Sequence, residues 1–177
     1  MKNFYTVHPT AAAGRDMINA ETFLSKDFAL EQDSSKPQIL IYHSHSQEEF
    51  ADYHRGNREA TIVGVGEYLT ELLRKKGYQV IHDTSVYDLR EGTLDRSKAY
   101  TYALEGIESI LKENPSIQVV LDLHRDGVAE GTHLVREING KPTATVMFLM
   151  EPARRRTAQS PIWKIPTGKI TWPSASS

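Results

Sequence analysis

The sequence has 177 residues, enough for one compact domain with a true core and too few for two large ones. Its formal net charge of −2, from 21 basic and 23 acidic side chains, excludes the concentrated basic surface that non-specific nucleic-acid binding needs. Cysteine is absent, so disulfides and thiolate metal sites are excluded, and any metal must be held by histidine and carboxylate.

Residues 1–37 read as a lead-in. MKNFYTVHPTAAAGRD holds no apolar run of the signal-peptide or membrane-helix kind, and AETFLSKDFALEQDSSKP is a short amphipathic piece followed by a polar linker ending in Pro37. A buried strand follows at Gln38–Tyr42, then a polar loop to about Glu59 that carries His54. TIVGVGEYLTELLRKKG places Ile62, Val65, Leu69, Leu72 and Leu73 at helical spacing, with Gly77 as its C-cap. YQVIHD reads as a second strand. DRSKAYTYALEGIESILKENP is a second helix with Ala99, Tyr102, Ala103, Ile107, Ile110 and Leu111 on one face, stopped by Pro115. IQVVLDL is a third buried strand. THLVREINGKPTATVMFLM is a hairpin turned at Asn139–Gly140, a favoured type I′ pair. Strands alternating with helical crossovers predict an α/β fold with a mostly parallel or mixed sheet flanked by helices.

In such sheets, functional groups gather at the carboxyl ends of the strands. Two of the strands end in histidine: ILIYHSH delivers His43 and His45, and VVLDLHRDG delivers His124. Neutral imidazoles plus one carboxylate, with a position left for water, make a zinc site. Glu59, at the mouth of the first helix, is the best carboxylate candidate. Glu48 and Glu49 are nearer in sequence, but a contiguous tripod strains the loop. A single strand-terminal histidine is usually a surface or hydrogen-bonded residue; the pairing of two such strands, one with His-x-His, lifts the metal reading to parity with that one.

Other motifs carry less. HRD lacks the asparagine of a kinase catalytic loop, since Gly131 stands there. GVGEYL is a weak nucleotide fingerprint, Ser44 and Ser46 have no triad context, and LRKKG is a solvated helix end suited to the macrodipole. His8, His82 and His133 read as structural or exposed, with His82, closing the second strand, nearest to the site.

Taken together, ILIYHSHSQEEF, TIVGVGEYLTELL, GYQVIHDTSVYD, NPSIQVVLDLHRDGV and INGKPTATVMF resemble the stage II sporulation protein P family, over residues 4–150 in order. These are cell-wall hydrolases of endospore-forming bacteria, related to zinc-dependent N-acetylmuramoyl-L-alanine amidases. The resemblance implies an amidase-like fold and zinc held by His45, Glu59 and His124, because setting the amidase DPGH against IYHSH selects His45. It leaves His43 as a group behind the ligands or a helper at the open position. It has Arg125 and Asp126 orient His124 and its loop, Arg125 as a catalytic group and Asp126 as an outer partner of His124, with a simple ion pair within the loop as the equal alternative. It implies hydrolysis of the muramoyl–peptide amide, and in some members of peptide cross-links, by zinc-bound water whose pKa falls to about 7. A carboxylate general base then carries the proton to the departing amine. The implied partners are peptidoglycan, a lytic transglycosylase and the membrane scaffold of the same machinery. The implied location is the extracytoplasmic face of the sporulation septum, with an anchor upstream of Met1.

The sequence departs from the family after Met150. The amidase base sits on a late strand reading hydrophobic-E-V-G, and no such segment follows; EPARRRTAQSPIWKIPTGKITWPSASS is basic, proline-bearing and aperiodic. For one choice of codons, SPIWKIPTGKITWPSAS read in another frame gives DLENPYRKDNLAFS, resembling the family's NPY and NLA segment. The expected organisation is therefore a lead-in over 1–37, the first two-thirds of a catalytic domain over 38–150, and an out-of-frame tail over 151–177. Weak hydrolysis and an exposed apolar sheet edge or helix face are the expected consequences. The competing readings are a non-catalytic wall- or partner-binding remnant and a metal hydrolase of another substrate.

Overall fold

The computed structural model describes residues 25, 27, 29–50, 53–90, 92–148 and 170–171, with only the backbone at 90, 170 and 171. Most of the lead-in and nearly all of the 151–177 tail lie outside the described residues. The chain divides into two units, residues 29–127 and residues 128–177 together with 1–28.

The first unit holds the predicted α/β core. Strand β1 (Ile39–Tyr42) lies between β2 (Val80–His82) and β5 (Val119–Asp122), and all three run parallel in the order β2-β1-β5. Ile39, Leu40 and Ile41 are buried in succession, as expected of a strand covered on both faces. Helix α1 (Ile62–Lys75) links β1 to β2, and helix α2 (Ala99–Glu113) lies between β2 and β5. Between β2 and α2 runs a short antiparallel pair, β3 (Leu89–Arg90) with β4 (Thr93–Leu94), that the periodicity of the sequence did not predict.

The side chain of Thr61 caps α1 by accepting from the Gly64 N–H at 3.1 Å. The helix ends at Gly77 in the left-handed region (φ 93°), as expected. Its inward face differs from the predicted one. Ile62, Gly64, Gly66 and Thr70 are fully buried, while Leu69 and Leu73 pack partly buried against Ile39, Ile41 and Val80. Leu72, expected in the core, is exposed beside Tyr68. The glycines win the inner face because the chain passes so close beneath them: a Cβ on Gly64 would collide with the Arg58 carbonyl and stand 2.8 Å from the Glu59 Cα. Helix α2 buries Ala99, Ala103, Ile107 and Leu111 at successive turns, close to the predicted face, and leaves Tyr100 and Leu104 exposed. Among the described residues no helix is long and apolar enough to cross a membrane.

In the second unit, β6 (Val135–Ile138) and β7 (Lys141–Ala144) form the predicted hairpin, with Asn139 and Gly140 at φ 53° and 75°. A further two-residue pair joins β8 (Met147–Phe148) to β9 (Ile170–Thr171).

Candidate active site

Parallel strands send their carboxyl ends to one edge of the sheet. Tyr42 pairs in register with Asp122, so His43, Ser44 and His45 leave β1 beside Leu123 and His124 leaving β5. The Leu123 N–H donates to the Tyr42 carbonyl at 2.9 Å, extending the ladder one step past the strands.

His43 is fully buried. Its Nδ1 lies 2.7 Å from the Leu123 carbonyl and its Nε2 lies 2.8 Å from Nε2 of His82. A carbonyl only accepts, so Nδ1 of His43 carries the proton, and its Nε2 accepts from the Nε2–H of His82. Two neutral imidazoles thus tie together the ends of β2, β1 and β5. Burial pushes the pKa of both rings down, and the neighbouring His43 lowers that of His82 further. Both nitrogens of His43, for which the resemblance leaves a place behind the ligands or at the open position, are engaged inside the sheet.

His45 and His124 meet above this pair. Their ring centroids are 5.5 Å apart at 84°, and both Nδ1 atoms are buried without a hydrogen-bond partner. Nδ1 of His124 lies 3.2 Å from Oδ1 of Asp122, outside hydrogen-bond geometry, a contact that becomes an ion pair when the imidazole is protonated. The interaction with Asp122 raises the pKa of His124 against the opposing effect of burial. Burial pushes the Asp122 carboxyl up, but His124 and the Ser44 N–H, which donates to Oδ1 at 3.0 Å, bring it net below its ordinary value. Asp122 therefore touches both histidine-bearing strand ends. Tyr100, from the first turn of α2, sets its ring edge-on to both imidazoles, 5.1 Å from His45 and 6.2 Å from His124.

The glutamates separate. Glu59 is exposed on a 3-10 turn (Arg58–Ala60) ahead of α1. Glu48 has a side chain only 9% exposed and accepts from the Arg125 N–H at 2.5 Å, with the Arg96 guanidinium 3.5 Å away. Its charge acts on both His124 and Tyr100. Arg125 turns its guanidinium to the Glu49 carbonyl and over the Phe50 ring, at 5.2 Å from the ring centroid, so it fastens the 48–50 loop. Asp126 is exposed, and its charge also reaches His124 and Tyr100. Among the described residues no three His, Asp or Glu side chains converge closely enough to hold a metal. Two adjacent imidazoles, that of His45 with its Nδ1 buried and without a hydrogen-bond partner, are a donor set that fits zinc; among the described residues no carboxylate completes a group of three with them.

The family model described as stage II sporulation protein P matches residues 7–163. The chain belongs to that family. No curated protein and no solved structure matches it. Membership in the stage II sporulation protein P family places the chain in sporulation and in the hydrolysis of peptidoglycan. The match runs on through residues 151–163, part of the stretch that reads from the sequence as foreign to the family.

Sequence reasoning passed over two residues of this site. Asp122 and His124 stand two apart on an extended segment, which turns both to one face, so the spacing D-x-H was a usable signal. Tyr100 gave none, because it lies beside the apolar stripe of its helix rather than on it.

The histidines make the fold sensitive to mild acid. His43 and His82 have pKa values below the ordinary 6.5, so the unfolded chain binds their protons more readily than the folded one. Their contribution is complete above pH 6.5 and is lost as pH falls through the folded values. His124, with a raised pKa, contributes below 6.5 and fades as pH rises. With two lowered groups against one raised, the urea midpoint is expected to drop between pH 7.5 and 5.5, and to stay level over that interval in His82→Gln. A parent midpoint that rises on acidification contradicts this assignment.

Proposed function

We propose that the chain is a zinc-dependent amidase that cleaves the bond between muramic acid and the first alanine of the stem peptide. The observation that carries this reading is the convergence of His45 and His124, 79 residues apart in the chain, with Nδ1 of His45 buried and without a hydrogen-bond partner among the described residues. Leaving that nitrogen unpaired costs free energy that ligation would recover. Glu59, by resemblance, or Glu48, by its nearness to His124, supplies the carboxylate ligand. Zinc held there would supply an activated water near neutral pH and draw charge onto the scissile carbonyl. The chain's own residues do the rest: Arg125 holds the 48–50 loop, and the His43–His82 pair holds the strand ends in register.

In the proposed setting the chain acts on septal peptidoglycan beside a lytic transglycosylase. A second reading, a wall-binding module that does not cut, is favoured by the lack of a third converging ligand among the described residues.

Zinc titration and a cell-wall zymogram separate the two. One equivalent of zinc, lost in His45→Ala and in His124→Ala together with any clearing of the wall, supports the amidase. Wall binding that is indifferent to chelator and to both substitutions supports the second reading.

A further inference from the structure

We propose that Tyr100 is a catalytic residue that donates its phenolic O–H to the scissile carbonyl oxygen as negative charge gathers there. This rests on the amide-hydrolase reading of the site.

Attack of water on an amide moves an electron pair onto the carbonyl oxygen. A preorganised donor at that oxygen is among the largest sources of rate. Among the described residues the surroundings are poor in uncommitted donors, with the Arg96 guanidinium held 3.5 Å from Glu48. The carboxylates of Glu48, Asp122 and Asp126 all act on His124 and Tyr100, and each would repel the developing charge. The Arg125 guanidinium, the expected cation, is committed to the Glu49 carbonyl and the Phe50 face. Ser44 is fully buried and out of reach of a polymer, and its side chain is turned to Tyr100 and Asp122.

Tyr100 meets the requirements that these groups miss. It is 53% exposed, yet its ring touches both imidazoles edge-on, so its position is tied to theirs. Ala99 beside it is fully buried, which anchors the first turn of α2. A phenol is a neutral donor near pH 7, so it can approach the carboxylates without a charge penalty and still offer a proton to an oxygen. No proton leaves Tyr100 in the step. The carbonyl pair moves onto oxygen under its hydrogen bond, then returns as the C–N bond breaks, and the attacking water's proton ends on the departing amine.

The test compares the full chain with Tyr100→Phe, which keeps the ring and removes only the O–H. Three probes are used: zinc alone, N-acetylmuramoyl-L-alanine, and its phosphonamidate analogue with tetrahedral phosphorus in place of the scissile carbonyl carbon. The expected result is unchanged zinc affinity, ground-state ligand binding within about twofold, and phosphonamidate binding weakened on the order of 10²-fold. Equal phosphonamidate binding by both proteins overturns the proposal. So does equal weakening of both ligands, which marks a uniform contact, or loss of zinc affinity, which marks a packing role. If the parent binds no zinc or neither ligand, the amidase reading itself falls and takes this inference with it.

Discussion

Gly66→Ala is expected to destabilise the protein by about 2–4 kcal/mol, although alanine is the better helix former by about 1 kcal/mol. The reason lies under the helix. A Cβ at position 66 would stand 2.7 Å from Cε1 and Nε2 of His43 and 2.7 Å from Nε2 of His82. Real Cβ contacts do not come so close, so one ring must move. His43 is fully buried and tied to Leu123, which leaves His82 to swing away. That breaks the hydrogen bond between the two imidazoles and leaves a buried acceptor unpaired, at a cost of about 1–3 kcal/mol. Overpacking adds a similar amount. Against a total stability of roughly 5–15 kcal/mol the loss is large, and it corresponds to a Tm lower by roughly 5–15 °C. Thermal unfolding of Gly66→Ala, His82→Ala and the double variant checks the mechanism. If the two losses add, the methyl group is not acting on the histidine pair; a double variant no worse than His82→Ala alone is the expected coupling.

Asp122→Asn is expected to keep the fold and weaken zinc binding by about 10–100-fold, the usual loss when the outer partner of a ligating histidine is removed. Oδ1 of Asp122 accepts from the Ser44 N–H and pairs with His124, so one oxygen orients both strand ends that bear the candidate ligands. Asparagine retains a carbonyl for the Ser44 N–H. It removes the charge that favours a proton on Nδ1 of His124 and so presents Nε2 outward. Zinc titration with a competing dye, alongside circular dichroism, measures both halves of the expectation. Undiminished zinc affinity in a folded variant would show that Asp122 serves the strand ends alone.

Local pattern carried much of the fold. The buried run at β1, the capped stretch beginning at Thr61, the alanine–isoleucine stripe of α2 and the Asn139–Gly140 turn each obey rules that act within a few residues. The same rules misjudged Gly64 and Gly66. Both read only as part of a weak nucleotide fingerprint, and both prove to be points of close approach, one to the turn that bears Glu59 and one to the histidine pair. The β3–β4 pair escaped notice because two-residue strands have no periodicity to read.

For the site, the sequence by itself determined that histidines leave two strand ends, because hydrophobic runs ending in polar residues declare where a sheet stops. It determined too that any metal must take nitrogen and oxygen ligands, since cysteine is absent. Only the tertiary structure decided that His43 turns inward to His82 while His45 turns to His124, that Asp122 bridges the two ends, and that Tyr100 closes the group. Those pairings join residues about 40 to 80 positions apart. Their geometry depends on strand register and on where each helix rests, which the spacing of residues along one strand does not encode.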